Sequence, residues 1–294
     1  MPYLLLGAAQ LAVGAAAIFA RYALGGAGPL AVAASRLAIA ALVLFVISAL
    51  RGGVTRVTRR QALLLAAAGA ALAIHFATWI ASLQFASVAV STLLVATTPV
   101  FTALYDVLAK RFVPTIATTA AFGAGAIGLL MVVGFDTAAA PVPHLAWLGA
   151  LLALAGAVAI GAYFVLVREV RASLGTRAIV THTYGWAAAV LVAAALLARQ
   201  PPPPLDDRAA WGGILAMALI SQLLGHTAFN ASLRWFSPSA VSFSTLLEPV
   251  SAAILAWLFL GEPVAAPAIA GGAVLLGAIA VVLRQEGMQA DDAT

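Results

Sequence analysis

Apolar runs of about 18–24 residues, long enough to cross a hydrocarbon layer roughly 30 Å thick, recur along the whole chain. Short clusters of Arg, Gly and Pro separate them. The pattern predicts ten helical spans near 3–20, 29–50, 61–82, 86–109, 115–133, 144–167, 178–199, 209–232, 238–260 and 264–283. Breaks fall where the chain cannot continue a helix, at Gly25 to Pro29, Arg51-Gly52-Gly53, Pro114, Pro141-Val142-Pro143 and Pro201 to Pro204. Nine spans is the rival count, because 3–20 is short and the connections after Ser82 and near Ser237 are tight. No loop is long enough to form a separate soluble domain.

Composition sharpens this into a polytopic membrane protein. The 294 residues are 64% apolar and only 9% charged, with mean hydropathy +1.08. So few polar residues cannot cover a water-facing surface. Cysteine is absent, which removes disulfides, thiolate metal sites and cysteine nucleophiles. The net charge of +5 does not point to nucleic acid, because the basic residues sit between the spans and act as orientation signals. No Lys or Arg precedes Tyr3, so the first run is expected to be a retained helix rather than a cleaved signal. With the N-terminus inside, the inner connections carry Arg51, Arg56, Arg59, Arg60, Lys110, Arg111, Arg168, Arg171, Arg177, Arg234 and Arg284. The outer ones carry Arg21, Arg199 and Arg208, and Arg36 is left within a span. The bias places both termini in the cytoplasm.

The chain also repeats itself. "ASLQFAS" (Ala81 to Ser87) and "ASLRWFS" (Ala231 to Ser237) lie 150 positions apart, as do Pro99 and Pro249. Gly123 and Gly128 match Gly272 and Gly277 with a one-residue slip, and "LGA" opens both Leu6 and Leu148. Chance recurrence of Ala, Ser and Leu is the competing explanation, but it does not account for several signals in one register. Five helices per copy is an odd number, so the second copy enters the membrane in the opposite sense. The expected fold is therefore an all-α integral membrane protein, with ten transmembrane helices as two inverted five-helix repeats. The first repeat is 1–143 and the second 144–294, together forming one transmembrane domain.

These features, with "TTPVFTAL" in the first half and "LLEPVSAAILAWLFLGEPV" in the second, resemble the EamA-type drug/metabolite transporter superfamily over essentially the whole length. Within it, the likeness is to exporters of aromatic amino acids. The resemblance implies an ATP-independent exporter of amino acids or related metabolites in the bacterial inner membrane.

Polar residues inside the spans are the candidate site, since such groups avoid lipid and face the bundle interior or a wet cavity. In the eighth span Gln222, His226 and Asn230 recur every four residues and form one stripe on an α-helix. The bland alternative is hydrogen bonding that merely holds helices together. In the third span His75, Thr78, Trp79 and Ser82 share a face, and His75 aligns within one residue of His226 in the repeat. Glu248 is the one carboxylate deep in a span, beside the helix-breaking Pro249, and Ser244 shares its face. Thr98 stands before Pro99 in the fourth span, and Gln10 and Tyr163 add polar or aromatic lining from the first and sixth. Each also has an ordinary structural reading as packing or hydrogen-bonded glue. Trp147, Trp211 and Trp235 near span ends read as an interfacial belt. The fifth and tenth spans carry Gly123, Gly125, Gly128 and Gly271, Gly272, Gly277, and suit braces or a weak homodimer face through helices 5 and 10.

The expected function is a secondary transporter for a small-molecule substrate, working in the lipid bilayer by alternating access. No metal site, cofactor or catalytic residue is expected. Lys110 has no Gly-rich loop before it, so no Walker-type ATP site is present. An intramembrane enzyme or a non-transporting structural module is the alternative, but no paired carboxylates or Gly-x-Ser-x-Gly elbow support it. Coupling, if any, would run through protons at His75, His226 or Glu248. One test follows from the basic bias. A single cysteine at position 2 or 292 is expected to resist a membrane-impermeant thiol reagent in intact cells, and ready labelling would reverse the orientation.

Overall fold

The computed structural model describes residues 2–109, 113–134, 140–226, 228 and 246–291. Asn230 and Ser244 lie outside the described residues, as do Arg234 and Trp235. The described chain is helical: α1 (Pro2–Gly14), α2 (Ala16–Leu24), α3 (Pro29–Leu50), α4 (Arg59–Ser82), α5 (Val88–Val95), α6 (Thr98–Leu108), α7 (Ile116–Gly134), α8 (Ala146–Arg171), α9 (Thr176–Leu197) and α10 (Arg208–Ala216). A π-helical segment, Met217–His226, continues α10, and α11 (Glu248–Leu260) and α12 (Ala266–Asp291) follow. Among the described residues, seven stretches are long and apolar enough to cross a bilayer, and three shorter apolar helices, Ile116–Val132, Glu248–Leu260 and Ala266–Val282, accompany them.

Local chemistry sets the boundaries. Thr58 and Gln61 exchange a capping box at the start of α4, while Ser87 and Asp207 cap α5 and α10 through side-chain oxygens. The predicted fourth span is broken: α5 stops at Val95 and α6 starts at Thr98. Pro99 supplies no N–H, so the Val95 carbonyl one turn earlier loses its helical donor. Thr98 Oγ1 answers it at 2.7 Å, while Thr97 Oγ1 donates to the Leu94 carbonyl at 2.6 Å and Thr102 Oγ1 to that of Pro99 at 3.0 Å. The first span bends likewise at Ala15, between α1 and α2.

Packing pairs α3 with α9, α4 with α8, α7 with α12, α1 with the π-helical segment, and α2 with α10. Helix α11 meets α1, α2 and α5, while α5 and α6 lie on α8. Membrane helices gain little from hydrophobicity against one another, so close approach of small residues carries the association. Alanine and glycine accordingly fill the contacts. Gly149 backs onto Ala86, and Gly213 onto the Phe19 carbonyl and Ala23. The glycine faces of the predicted fifth and tenth spans meet each other inside the chain: a Cβ on Gly128 would lie 2.7 Å from the Gly271 carbonyl oxygen.

Side-chain contacts gather the helix ends into two sets. At one end Arg21 donates to Glu262 Oε1 at 2.7 Å and to the Ala86 carbonyl at 3.2 Å, and Glu262 Oε2 accepts from the Val88 N–H at 2.9 Å. There too, Gln200 Oε1 accepts from the Leu30 N–H at 2.9 Å. At the other end Arg168 donates both terminal N–H groups to Asp106, at 2.8 and 3.1 Å, and Gln61 donates to Ser173 at 2.9 Å. Helices α3 and α9 match closely: each has 22 residues, each follows a glycine N-cap in extended conformation, and their first residues, 29 and 176, lie 147 apart.

The α7–α12 contact makes a specific prediction. Gly128→Val and Gly271→Val force a side chain against partner backbone and are expected to cost about 1–3 kcal/mol. The readout is a lower melting temperature of the detergent-purified protein. Gly123→Ala, where a Cβ meets nothing within 4 Å, is expected to leave it unchanged.

Candidate functional site

The centre of the molecule is organised by a residue that the sequence left unassigned. Arg36 sits two turns into α3, on the face that meets the bundle, and is 1% exposed. Its Nη2 donates to Gln222 Oε1 at 2.6 Å, its Nη1 has the Met217 sulfur at 4.0 Å, and its Nε is buried without a hydrogen-bond partner. The guanidinium plane lies 4.1 Å from the centre of the Phe76 ring and 5.8 Å from that of Trp79. A cation over an aromatic face gains about 2 kcal/mol or more when both are desolvated. Tyr184 on α9 lies within hydrogen-bonding reach of Gln222. Glu248 acts on Arg36 electrostatically across the interior, yet no ion pair joins the two.

Three elements position these groups. The i, i+3 spacing of Phe76 and Trp79 on α4 turns both rings toward α3. His75 lies four residues before Trp79, and their rings stack at 6.2 Å with 2° between planes. His75 is buried, and its Nδ1 lies 2.9 Å from the Gly156 carbonyl of α8. The eighth span departs from the sequence expectation. A π-helix makes i→i+5 bonds and a wider turn, in which residues four or five apart share a face. Gln222 is 1% exposed and turned onto Arg36, while neighbouring Ser221 donates to the Ala12 carbonyl at 2.6 Å. Gly225 lets α1 approach closely, at Ala12 and Val13. The backbone of His226 ends the π-helical segment.

The remaining predicted residues divide between the interior and ordinary helix contacts. Gln10 on α1 is 4% exposed, and neither amide atom has a hydrogen-bond partner. One turn on, Gly14 faces Ser251 and the Glu248 carbonyl, so α1 carries Gln10 close to the start of α11. Tyr163 packs against the same core cluster as Trp79 and Tyr184, with Thr183 in hydrogen-bonding reach. By contrast, Thr78 donates to its own helix at Ile74 and His75, and Thr98 to Val95 and Ala157. Ser82 sits 2.6 Å from Ser91 and donates to Trp79, joining α4 to α5. These three hydroxyls are spent on backbone or on a neighbouring helix. A separate shallow recess lies further along α3 and α9, lined by Phe45, His182, Gly185 and Trp186.

Sequence reasoning missed Arg36, Phe76 and Tyr184. Arg36 was findable: it is a single arginine within an otherwise apolar span of 22 residues, and an ionisable group at that depth marks a functional interior. The two aromatics carried no such signal.

The Arg36–Gln222 bond generates a stability test. Gln222→Leu leaves a buried cation without its oxygen acceptor and is expected to destabilise by about 3–5 kcal/mol. Arg36→Leu combined with Gln222→Leu is expected to recover most of that loss, since removing both partners of a buried bond is nearly neutral. Thermal unfolding of the variants checks both.

The model of the EamA-like transporter family matches the chain twice, over residues 1–134 and 147–284. No curated protein matches it. Among solved structures, one crystal structure superposes with a TM-score of 0.66 at 19% identity, covering 95% of each chain, which is a likeness of fold. With both stretches of the family model accounted for across nearly its full length, the chain belongs to the EamA-like transporter family, a family of membrane transporters.

Proposed function

We propose that the protein is a secondary transporter built from two inverted five-helix repeats, which carries amino acids, aromatic or other neutral ones, or related small metabolites by alternating access. The observation that carries this reading is the enclosed cluster around Arg36, formed by helices of both halves: α3 and α4 from the first, α9 and the π-helical segment from the second. Substrate sites of inverted-repeat transporters lie at such a midplane junction.

Several features support the inversion. The first helix of each half bears an arginine near its end, Arg21 and Arg168, and these lie 147 residues apart. Each reaches an acid in the fourth-helix region of the opposite half: Arg21 takes Glu262, and Arg168 takes Asp106. One pair sits at each end of the molecule, as opposed chain directions would place them. The pairs are suited to act as gates, one opening as the other holds. Arg168 and Asp106 then face the cytoplasm and Arg21 and Glu262 the outside, in the orientation given by the basic bias. A homodimer through the fifth and tenth spans would use the outward Ile127, Leu130 and Ile269, because the glycines face each other.

Counterflow in proteoliposomes tests the transport reading. Vesicles preloaded with a mixture of unlabelled amino acids and small metabolites are expected to accumulate the labelled members transiently. No accumulation of any label would overturn it. Arg21→Ala is expected to weaken the outer gate and raise labelling of a cysteine placed at Gln10 from outside by at least severalfold. An imposed pH gradient at equal cargo concentration separates proton coupling through Glu248, His75 or His226 from facilitated diffusion, since net flux requires coupling.

A further inference from the structure

The buried arginine and the nearby carboxylate are not partners, and that separation is informative. Arg36 carries five N–H donors at 1% exposure, but among oxygens only Gln222 Oε1 accepts from it. The Met217 sulfur at 4.0 Å is a weak acceptor, and Nε has none. A guanidinium in the membrane interior is costly, so donors without acceptors mark a group that a ligand would satisfy. Glu248 could satisfy them, yet it stays within electrostatic range without pairing. Its carboxylate heads α11, one turn before Ser251, whose hydroxyl donates to the Glu248 carbonyl at 2.9 Å rather than to the carboxylate. Gln10, with both amide atoms unused, lies on the helix that packs against that point.

We infer that Arg36 and Glu248 form a split site for a zwitterion, in which Arg36 takes the carboxylate of an α-amino acid and Glu248 takes its ammonium. The inference rests on the transport reading above and names the residues that select its cargo. A planar carboxylate matches the guanidinium fork and engages two donors at once. A phosphate dianion fits less well, because Arg36 is the only cation among the described residues of the cluster. The ammonium end needs a carboxyl group that no protein cation engages, and Glu248 has no such partner among the described residues. Phe76 and Trp79 cover the flank of Arg36 and hold the guanidinium in place for the carboxylate. The occupied site carries no net charge: two protein charges and two ligand charges cancel in pairs. That lowers the cost of moving the cluster through a closed state in low dielectric.

Three probes that differ only at their ends test this in counterflow: L-phenylalanine, 3-phenylpropionate without the ammonium, and 2-phenylethylamine without the carboxylate. Wild type is expected to exchange L-phenylalanine at least tenfold faster than either analogue. Arg36→Gln is expected to abolish exchange of L-phenylalanine and 3-phenylpropionate, and Glu248→Gln to erase the preference for L-phenylalanine over 3-phenylpropionate. Arg36→Lys keeps the charge without the fork and is expected to keep measurable but slower exchange, which serves where Arg36→Gln fails to fold. Equal exchange of either analogue by wild type would overturn the site, as would full L-phenylalanine exchange by Arg36→Gln. A wild type that exchanges other solutes but none of these three overturns the zwitterion site and leaves the transporter reading standing. A wild type that exchanges nothing overturns the transporter reading itself.

Discussion

Everything near the centre of this molecule follows from holding one guanidinium out of water. Arg36 is as buried as any aliphatic core residue, in a chain whose spans are otherwise almost free of charge. Such a group needs an acceptor, a polarisable face and a counter-charge, and three different elements supply them. Gln222 comes from the π-helical segment, Phe76 and Trp79 from α4, and Glu248 from the start of α11. The irregular backbone is placed where this need is greatest. A π-helical stretch lets Ser221 bond to the Ala12 carbonyl while Gln222 turns to Arg36. Irregular backbone at membrane depth is tolerated only where protein or a wet cavity surrounds it.

Around this polar centre the remaining helices are held by smallness rather than by polarity. Alanine and glycine dominate the buried positions of α2 and α8. Close contacts such as Gly149 with Ala86, or Gly128 with Gly271, leave no room for a side chain. Contacts of this kind bind helices firmly but slide with little resistance, since no knob is seated in a hole. Charged pairs appear where sliding would open the molecule, at its two ends. Arg21 with Glu262 and Arg168 with Asp106 are each partly exposed to water and are cheap to break and remake. A tight polar centre, smooth apolar contacts and weak charged ends together describe a body suited to rocking.

Much of this was legible before any coordinates. Hydrophobic run length located seven spanning stretches and three shorter apolar helices among the described residues, because a bilayer imposes a length scale. Pro99 announced the break between α5 and α6, and the stacking of His75 on Trp79 follows from their four-residue spacing. The stripe of Gln222, His226 and Asn230 was drawn on an α-helix, whereas Met217–His226 is π-helical, because periodicity cannot announce a change of helix type. Ser82, Thr78 and Thr98 looked equivalent to Gln10 in sequence. The difference lies in reach: a short hydroxyl folds back onto its own helix carbonyls, whereas a glutamine extends into the space between helices. Arg36 was left out of the orientation count because it lies within a span, and it was given no other role. Its depth within α3 carried the meaning instead.

The central claim is that the buried cluster is reached from both sides of the membrane in turn. The chain has no cysteine, so Gln10→Cys introduces a single thiol beside the cluster. The decisive measurement is its modification by a charged, impermeant thiol reagent applied to either face of oriented proteoliposomes. The account predicts reaction from each face separately, slowed severalfold from both by saturating amino acid. A thiol that reacts from neither face, yet reacts fully once the protein is denatured, would contradict it.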